Sequence, residues 1–197
     1  SETENLVWKL ALPGPGSSSP IVSGGRVFIT CYSGYGIDRR NPGQPEDLKR
    51  HLFCVDASNG KILWQRSVDA VLPEDPYRGY ISEHGYASST PVTDGQRVYV
   101  FFGKSGVQAF DLEGGKLWQK AVGTESGNRK WGSAASPIFY ENLLIVNASE
   151  EGRALIALDK MTGDEVWKVE ADKMELSYST PVMAKLSDDR EELVIVV

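Results

Sequence analysis

Four times along the chain a hydroxyl residue and a proline open a short apolar strand: Ser18-Ser19-Pro20-Ile21-Val22, Ser89-Thr90-Pro91-Val92, Ala135-Ser136-Pro137-Ile138 and Ser179-Thr180-Pro181-Val182. A polar or glycine-bearing turn follows each of the first three, and then a second apolar run: Arg26-Val27-Phe28-Ile29, Arg97-Val98-Tyr99-Val100 and Leu143-Leu144-Ile145-Val146. The fourth copy leads to Leu193-Val194-Ile195-Val196. The three complete copies continue into a third strand ending in aspartate, a tight turn, and a fourth strand carrying tryptophan. These are Cys54-Val55-Asp56 to Trp64, Ala109-Phe110-Asp111 to Trp118, and Ala157-Leu158-Asp159 to Trp167.

Short β-branched and aromatic runs between Gly, Asn and Asp turns predict an all-β chain, and four strands per repeat predict β-propeller blades. With strands lettered A to D from the axis outward, proline opens A, where a missing N–H costs least. Asn59-Gly60, Gly114-Gly115 and Thr162-Gly163 make the C–D turns, where glycine supplies positive φ. Tryptophan on D offers a flat face to close the gap between blades, and the small residue two before the aspartate leaves room for it. Trp8, Trp64, Trp118 and Trp167 with Asp56, Asp111 and Asp159 are therefore the expected docking residues. The expected layout is an outer strand at 5–12, blades at 18–68, 88–122 and 135–170, and a half blade at 179–197, about three and a half blades. Such an array is half of a seven- or eight-bladed ring, and its open edges are expected to be covered by a second copy, as a homodimer, or by residues outside this segment.

The run Ala157, any residue, Asp159, two residues, Thr162-Gly163, three residues, Trp167 resembles the tryptophan-docking repeat of pyrroloquinoline quinone (PQQ) dehydrogenases. Cys54 to Trp64 keeps the length with cysteine for alanine and Asn59 for threonine; Ala109 to Trp118 is one residue shorter. The resemblance implies the propeller fold and an exported or periplasmic location. It leaves activity open, because the repeat is shared by quinone-dependent alcohol and sugar dehydrogenases and by cofactor-free propellers that scaffold outer-membrane protein assembly.

Composition narrows the partners. With 21 Lys and Arg against 27 Asp and Glu, the net charge of −6 repels a phosphate backbone, so nucleic acid is not expected. No apolar run approaches the roughly 20 residues of a membrane helix. The chain opens on Ser1-Glu2-Thr3-Glu4 instead of a basic and apolar export signal, so location rests on the resemblance. Two cysteines, Cys31 and Cys54, match no zinc spacing; they lie on neighbouring strands, where a bridge is open, and two buried thiols are the simpler reading.

Strand alternation sends the B–C and D–A connections to one face and the A–B and C–D turns to the other. All the long connections fall on the first face: 33–51, 69–87 and 123–134. They carry Tyr35, Arg39 and Arg40; Tyr77, Arg78, Tyr80, Glu83, His84 and Tyr86; and Asn128, Arg129, Lys130 and Trp131. Tyr35, Tyr80, Glu83, His84, Tyr86, Arg129 and Trp131 are the candidate binding residues, a mixed aromatic and cationic set suited to a protein or saccharide. Tyr86 and Trp131 serve equally well as plugs between blades, and His84 beside Glu83 is a weak acid-base signal. His51, next to strand C, reads as structural. Gly103-Lys104-Ser105 has Val98 where a phosphate loop needs glycine.

No catalytic or metal residue is expected. The preferred function is a binding or scaffold propeller without cofactor. The alternative is part of a PQQ- and calcium-dependent dehydrogenase, against which the chain lacks adjacent cysteines and a dedicated Asn and Asp ligand set.

Overall fold

A computed structural model of the chain describes residues 4–170, 174 and 177–197. The regular elements of the described residues are almost wholly β: three four-stranded antiparallel sheets and one of two strands, each following chain order. The first is β1 (Ile21–Ser23), β2 (Arg26–Ser33), β3 (Lys49–Asp56) and β4 (Ile62–Asp69). The second is β5 (Val92–Thr93), β6 (Arg97–Phe101), β7 (Val107–Asp111) and β8 (Lys116–Lys120). The third is β9 (Ile138–Tyr140), β10 (Leu143–Ala148), β11 (Ala154–Asp159) and β12 (Glu165–Glu170), and β13 (Val182–Lys185) pairs with β14 (Glu191–Val194). Residues 5–12, expected as an outer strand, form no ladder, since no C strand lies beside them among the described residues.

The middle strands of each sheet are buried on both faces because consecutive side chains serve different neighbours. On β3, Leu52 and Cys54 meet Val98, Val100 and Phe110 of the next sheet. Phe53 and Val55 turn the other way, towards Trp8, Leu10 and Leu12. The second and third sheets repeat this with Tyr99, Phe101 and Ala109 against Leu144, Val146 and Ile156. Ile145 and Ala157 then face Met183, Leu193 and Ile195.

The same joint fastens successive blades. The indole N–H of Trp8 donates to the Ala57 carbonyl at 2.8 Å, that of Trp64 to Leu112 at 2.7 Å, and that of Trp118 to Lys160 at 3.1 Å. Each acceptor is the residue after the aspartate that ends strand C of the following sheet. Beneath the rings lie Gly60, Gly114 and Gly163, all at positive φ, where a Cβ would come within 2.7 Å of indole carbons. The aspartates brace these turns: Asp56 Oδ1 accepts from the Ser58 N–H, Asp111 Oδ1 from the Gly115 N–H, and Asp159 Oδ1 from the Met161 and Thr162 N–H groups. Trp167 packs with Met183, Leu193 and Ile195.

Beside each tryptophan the ladder slips at the same place. Cys54, Ala109 and Ala157 pair with Trp64, Trp118 and Trp167, but the next pairs are Val55 with Ile62, Phe110 with Lys116, and Leu158 with Glu165. Leu63, Leu117 and Val166 are the bulged residues. They are left about half exposed, at 48%, 46% and 54%.

The hydroxyl before each proline links the inner ends. The Ser19 N–H donates to Thr90 Oγ1, the Thr90 N–H to Ser136 Oγ and the Ser136 N–H to Thr180 Oγ1, all at 3.0 Å. Amides at the start of strand A, which no ladder satisfies, are thus paired blade to blade.

Candidate functional site

The long connections form a layer with its own small core. Tyr32, Tyr35, Leu48, Ile81, Tyr86 and Ala87 are buried together, with Tyr77 packed against them. The phenol of Tyr32 donates to the Gly36 carbonyl at 2.9 Å and that of Tyr86 to the Asp75 carbonyl at 2.7 Å, while Tyr35 Oη accepts from the Tyr77 N–H. Burial pushes the Tyr86 phenol well above its ordinary value. Gly85 is required here, at φ +73° with its Cα against the Tyr32 ring. Tyr35 and Tyr86 are thus packed inside the layer, and the surface belongs to other residues.

Below this core runs a buried polar seam. Arg50, from β3, pairs with Glu74 at 2.8 Å with both side chains about 5% exposed or less, and its Nε–H donates to the Tyr86 carbonyl. Lys104, in the turn between β6 and β7, donates to the Pro73 carbonyl and Ser126 Oγ and lies 3.8 Å from Asp75, which accepts from Ser126 Oγ at 2.6 Å. The helical turn α1 (Ser149–Gly152) adds Glu150, bonded to the Gly127 N–H, and Glu151, bonded to the Ser133 hydroxyl. Burial raises the Glu151 carboxyl to about 7, partly opposed by the Ser133 hydrogen bond. Arg50, Glu74, Asp75, Lys104, Ser89 and Glu151 are among the residues that line a small cavity of about 20 Å³. The seam ties the first three sheets together beneath their loops.

On the outer surface, three aromatic rings from three successive D–A connections stand in a row. Tyr80 lies 4.4 Å from Trp131 between ring centroids, and Trp131 lies 5.4 Å from Tyr178. The Arg129 guanidinium sits 4.5 Å over the Trp131 ring. Tyr80 is 59% exposed. His84 fixes the row from below: its Nε2 donates to the Trp131 carbonyl at 2.8 Å, and its Nδ1 is hydrogen-bonded to Ser88 Oγ at 2.6 Å. Glu83 turns away from His84 to pair with Arg39. His84 therefore positions the Trp131 loop, and its ring partners are Trp131 and Ser88, with Glu83 engaged elsewhere.

Of the seven candidates, the structure brings Tyr80, His84, Arg129 and Trp131 into one group, places Glu83 beside it through Arg39, and puts Tyr35 and Tyr86 beneath it. Tyr178 and the seam residues Arg50, Glu74, Asp75, Lys104 and Glu151 were not among them. Tyr178 sits on a short connection before the fourth Ser-Thr-Pro, and only the position of that linker after a D strand signals its face. His51 lies inside the first blade between Ser33 Oγ and Ser67 Oγ, at 2.7 and 2.8 Å. Cys31 and Cys54 are both free and buried, Cys31 opposite His51 and Cys54 opposite Phe28, too far apart in register to bridge.

The residues present do not fit a PQQ and calcium site. Among the described residues no three His, Cys, Asp or Glu side chains are placed to hold a metal ion. Glu74 and Asp75 under the loop face pair with Arg50 and Lys104, Glu150 and Glu151 bond to the Gly127 N–H and the Ser133 hydroxyl, and the cavity beside them is water-sized.

Radial four-stranded sheets, indole joints and a layered loop face define a β-propeller with PQQ-like repeats. The profile of the family described as outer membrane protein assembly factor BamB matches residues 46–196, and the chain belongs to that family. No curated protein sequence matches it. Among solved structures, BamB from Moraxella catarrhalis is similar over 93% of this chain and 50% of its own, with 18% identity and a TM-score of 0.58. The quinohemoprotein alcohol dehydrogenase ADHIIG from Pseudomonas putida HK5 is similar over 89% of this chain and 30% of its own, with 17% identity and a TM-score of 0.54. The computationally designed Ika4 protein is similar over 98% and 99% of the two chains, with 12% identity and a TM-score of 0.52. These likenesses share the fold, and the chain spans half the length of the BamB structure. Among the described residues no helix is long and apolar enough to cross a membrane.

Proposed function

We propose that this chain is part of a non-catalytic propeller that holds a protein partner on its long-loop face, outside the cytoplasm. The observation that carries this reading is the row of Tyr80, Trp131 and Tyr178, held at the surface by His84 and backed by a packed tyrosine core. An exposed ring such as Tyr80, backed by the half-buried Trp131 and Tyr178 on a rigid support, binds at little entropic cost, which is what a docking face needs. Membership in the BamB family supports a scaffold role, which needs no cofactor.

Protein is favoured over saccharide by ring geometry. Sugars stack on open ring faces, but Trp131 is flanked by Tyr80, Tyr178 and Arg129, with its two ring neighbours tilted by 59° and 36°. A photo-crosslinking residue introduced in place of Tyr80 or Arg129 in the native host is expected to capture a defined protein. The same residue in place of Glu113 or Lys160, on the tight-turn face, is expected to capture little. Equal or greater capture from the tight-turn face would overturn the reading.

A further inference from the structure

The charge around the aromatic row runs against the charge of the chain. Net charge is −6. Yet Arg78, two residues before Tyr80, and Arg129 and Lys130, beside Trp131, are exposed, and none makes an ion pair among the described residues. Glu83, the exposed acid of the same connection as Tyr80, is neutralised by Arg39 at 2.5 Å. The remaining acids of that connection, Glu74 and Asp75, are buried and paired with Arg50 and Lys104. In the Trp131 connection Glu125 pairs with Arg153, so beside Tyr80 and Trp131 the exposed charges outside ion pairs are the cations Arg78, Arg129 and Lys130.

We infer that the Tyr80–Trp131–Tyr178 row and its flanking cations form a docking strip for an acidic polypeptide segment that alternates carboxylates with aromatic or other apolar side chains. This rests on the protein-docking reading above and specifies the partner's chemistry. Carboxylates meet Arg78, Arg129 and Lys130, and apolar side chains lie along Tyr80, whose ring is the most open of the three. The exposed cations set encounter rate and salt dependence, and the aromatics supply the desolvated contact. Arg129 has both roles, because its guanidinium is planar, remains charged over Trp131 and still presents N–H donors at its edge.

The test uses three probes against the protein: a fluorescein-labelled 15-residue peptide alternating Asp or Glu with Phe or Trp, the same peptide with lysine for each acid, and polygalacturonate. Fluorescence anisotropy is expected to show saturable binding of the acidic peptide alone, weakened about tenfold or more between 50 and 500 mM salt. The variant Arg78→Glu/Arg129→Glu/Lys130→Glu is expected to lose at least tenfold in affinity, and Tyr80→Ala about fivefold. The alanine version of the triple variant, with the same thermal midpoint as the parent, guards against a folding defect. Unchanged acidic-peptide affinity in these variants, equal binding of the lysine peptide, or displacement by polygalacturonate at lower concentration would each overturn the inference. Its failure is separable from that of the docking reading: crosslinks confined to the loop face with no acidic-peptide binding sink the charge preference alone, whereas crosslinks on the tight-turn face sink both.

Discussion

Gly163 and Gly95 have similar backbones, at φ +76° and +85°, but different surroundings. A Cβ at Gly163 would come within 2.7 Å of the Trp118 ring, and one at Gly95 would meet nothing within 4 Å. Gly95→Ala should therefore cost only the left-handed backbone, about 1–2 kcal/mol. Gly163→Ala should add overpacking of about 1–3 kcal/mol and displace the indole from the Lys160 carbonyl. Urea unfolding of both variants separates the two costs, and equal losses would mean that the ring does not bear on the glycine. A second residue-scale consequence concerns Glu151. Its carboxyl ordinarily titrates at 4.5 and burial raises it to about 7, so the folded chain holds this proton more tightly than the unfolded chain. The stability this contributes is complete below about pH 4.5 and is lost as pH rises to about 7, on the order of 3 kcal/mol. Glu151→Gln should gain relative to the parent on going from pH 5 to pH 8, as read by urea midpoints at the two values. A difference that does not change with pH would show that the carboxyl is not titrating in the folded state. His51 works in the opposite sense, since burial and the nearby Lys49 lower its value and favour the neutral ring, so its contribution is lost as pH falls below about 6.5. The comparison of Glu151→Gln with the parent cancels it.

Within a blade, the strand pattern written in the sequence accounts for nearly all of the architecture, because each B and C strand must hide both faces and so reads as an apolar run. Two devices are invisible to that reading. The slip beside each tryptophan leaves Leu63, Leu117 and Val166 outside the alternation, and no local residue type announces a bulge there. The hydroxyl before each proline is plain in the sequence, but its role depends on the amide of the preceding blade, a partner 44 to 71 positions away. Ser136→Ala tests that role. The Thr90 N–H would lose its acceptor while the Ser19 N–H keeps Thr90 Oγ1, so hydrogen exchange should quicken about five- to tenfold at Thr90 alone, as expected for loss of one bond worth about 1 kcal/mol. Equal acceleration at Ser19 would indicate general loosening of the inner strands in place of a specific link.

At the scale of the whole array, each sheet is stable through its neighbours, and the loop layer is bound to the sheets by charges that sequence alone could not pair. Arg50 lies in an apolar strand and Glu74 in a connection 24 positions on, so nothing in their spacing brings them to 2.8 Å. Likewise Tyr35 and Tyr86 look like surface aromatics on long loops until the layer is seen to have a core of its own. The Arg50–Glu74 pair decides how firmly the layer is held. Removing one partner strands a buried charge, so Arg50→Met should cost about 3–5 kcal/mol, whereas Arg50→Met/Glu74→Leu should recover most of that loss by replacing both charges with apolar volume. The Tyr86 carbonyl loses the Arg50 Nε–H in both variants, which limits the recovery, while the Ser105 hydroxyl keeps its bond to the Asp69 carbonyl. A double-mutant cycle by urea unfolding gives the coupling directly. Coupling near zero would mean that this pair adds nothing to the hold on the layer, and the aromatic row would then owe its rigidity to the packing of Tyr32, Tyr35 and Tyr86 and to the Lys104–Asp75 contacts.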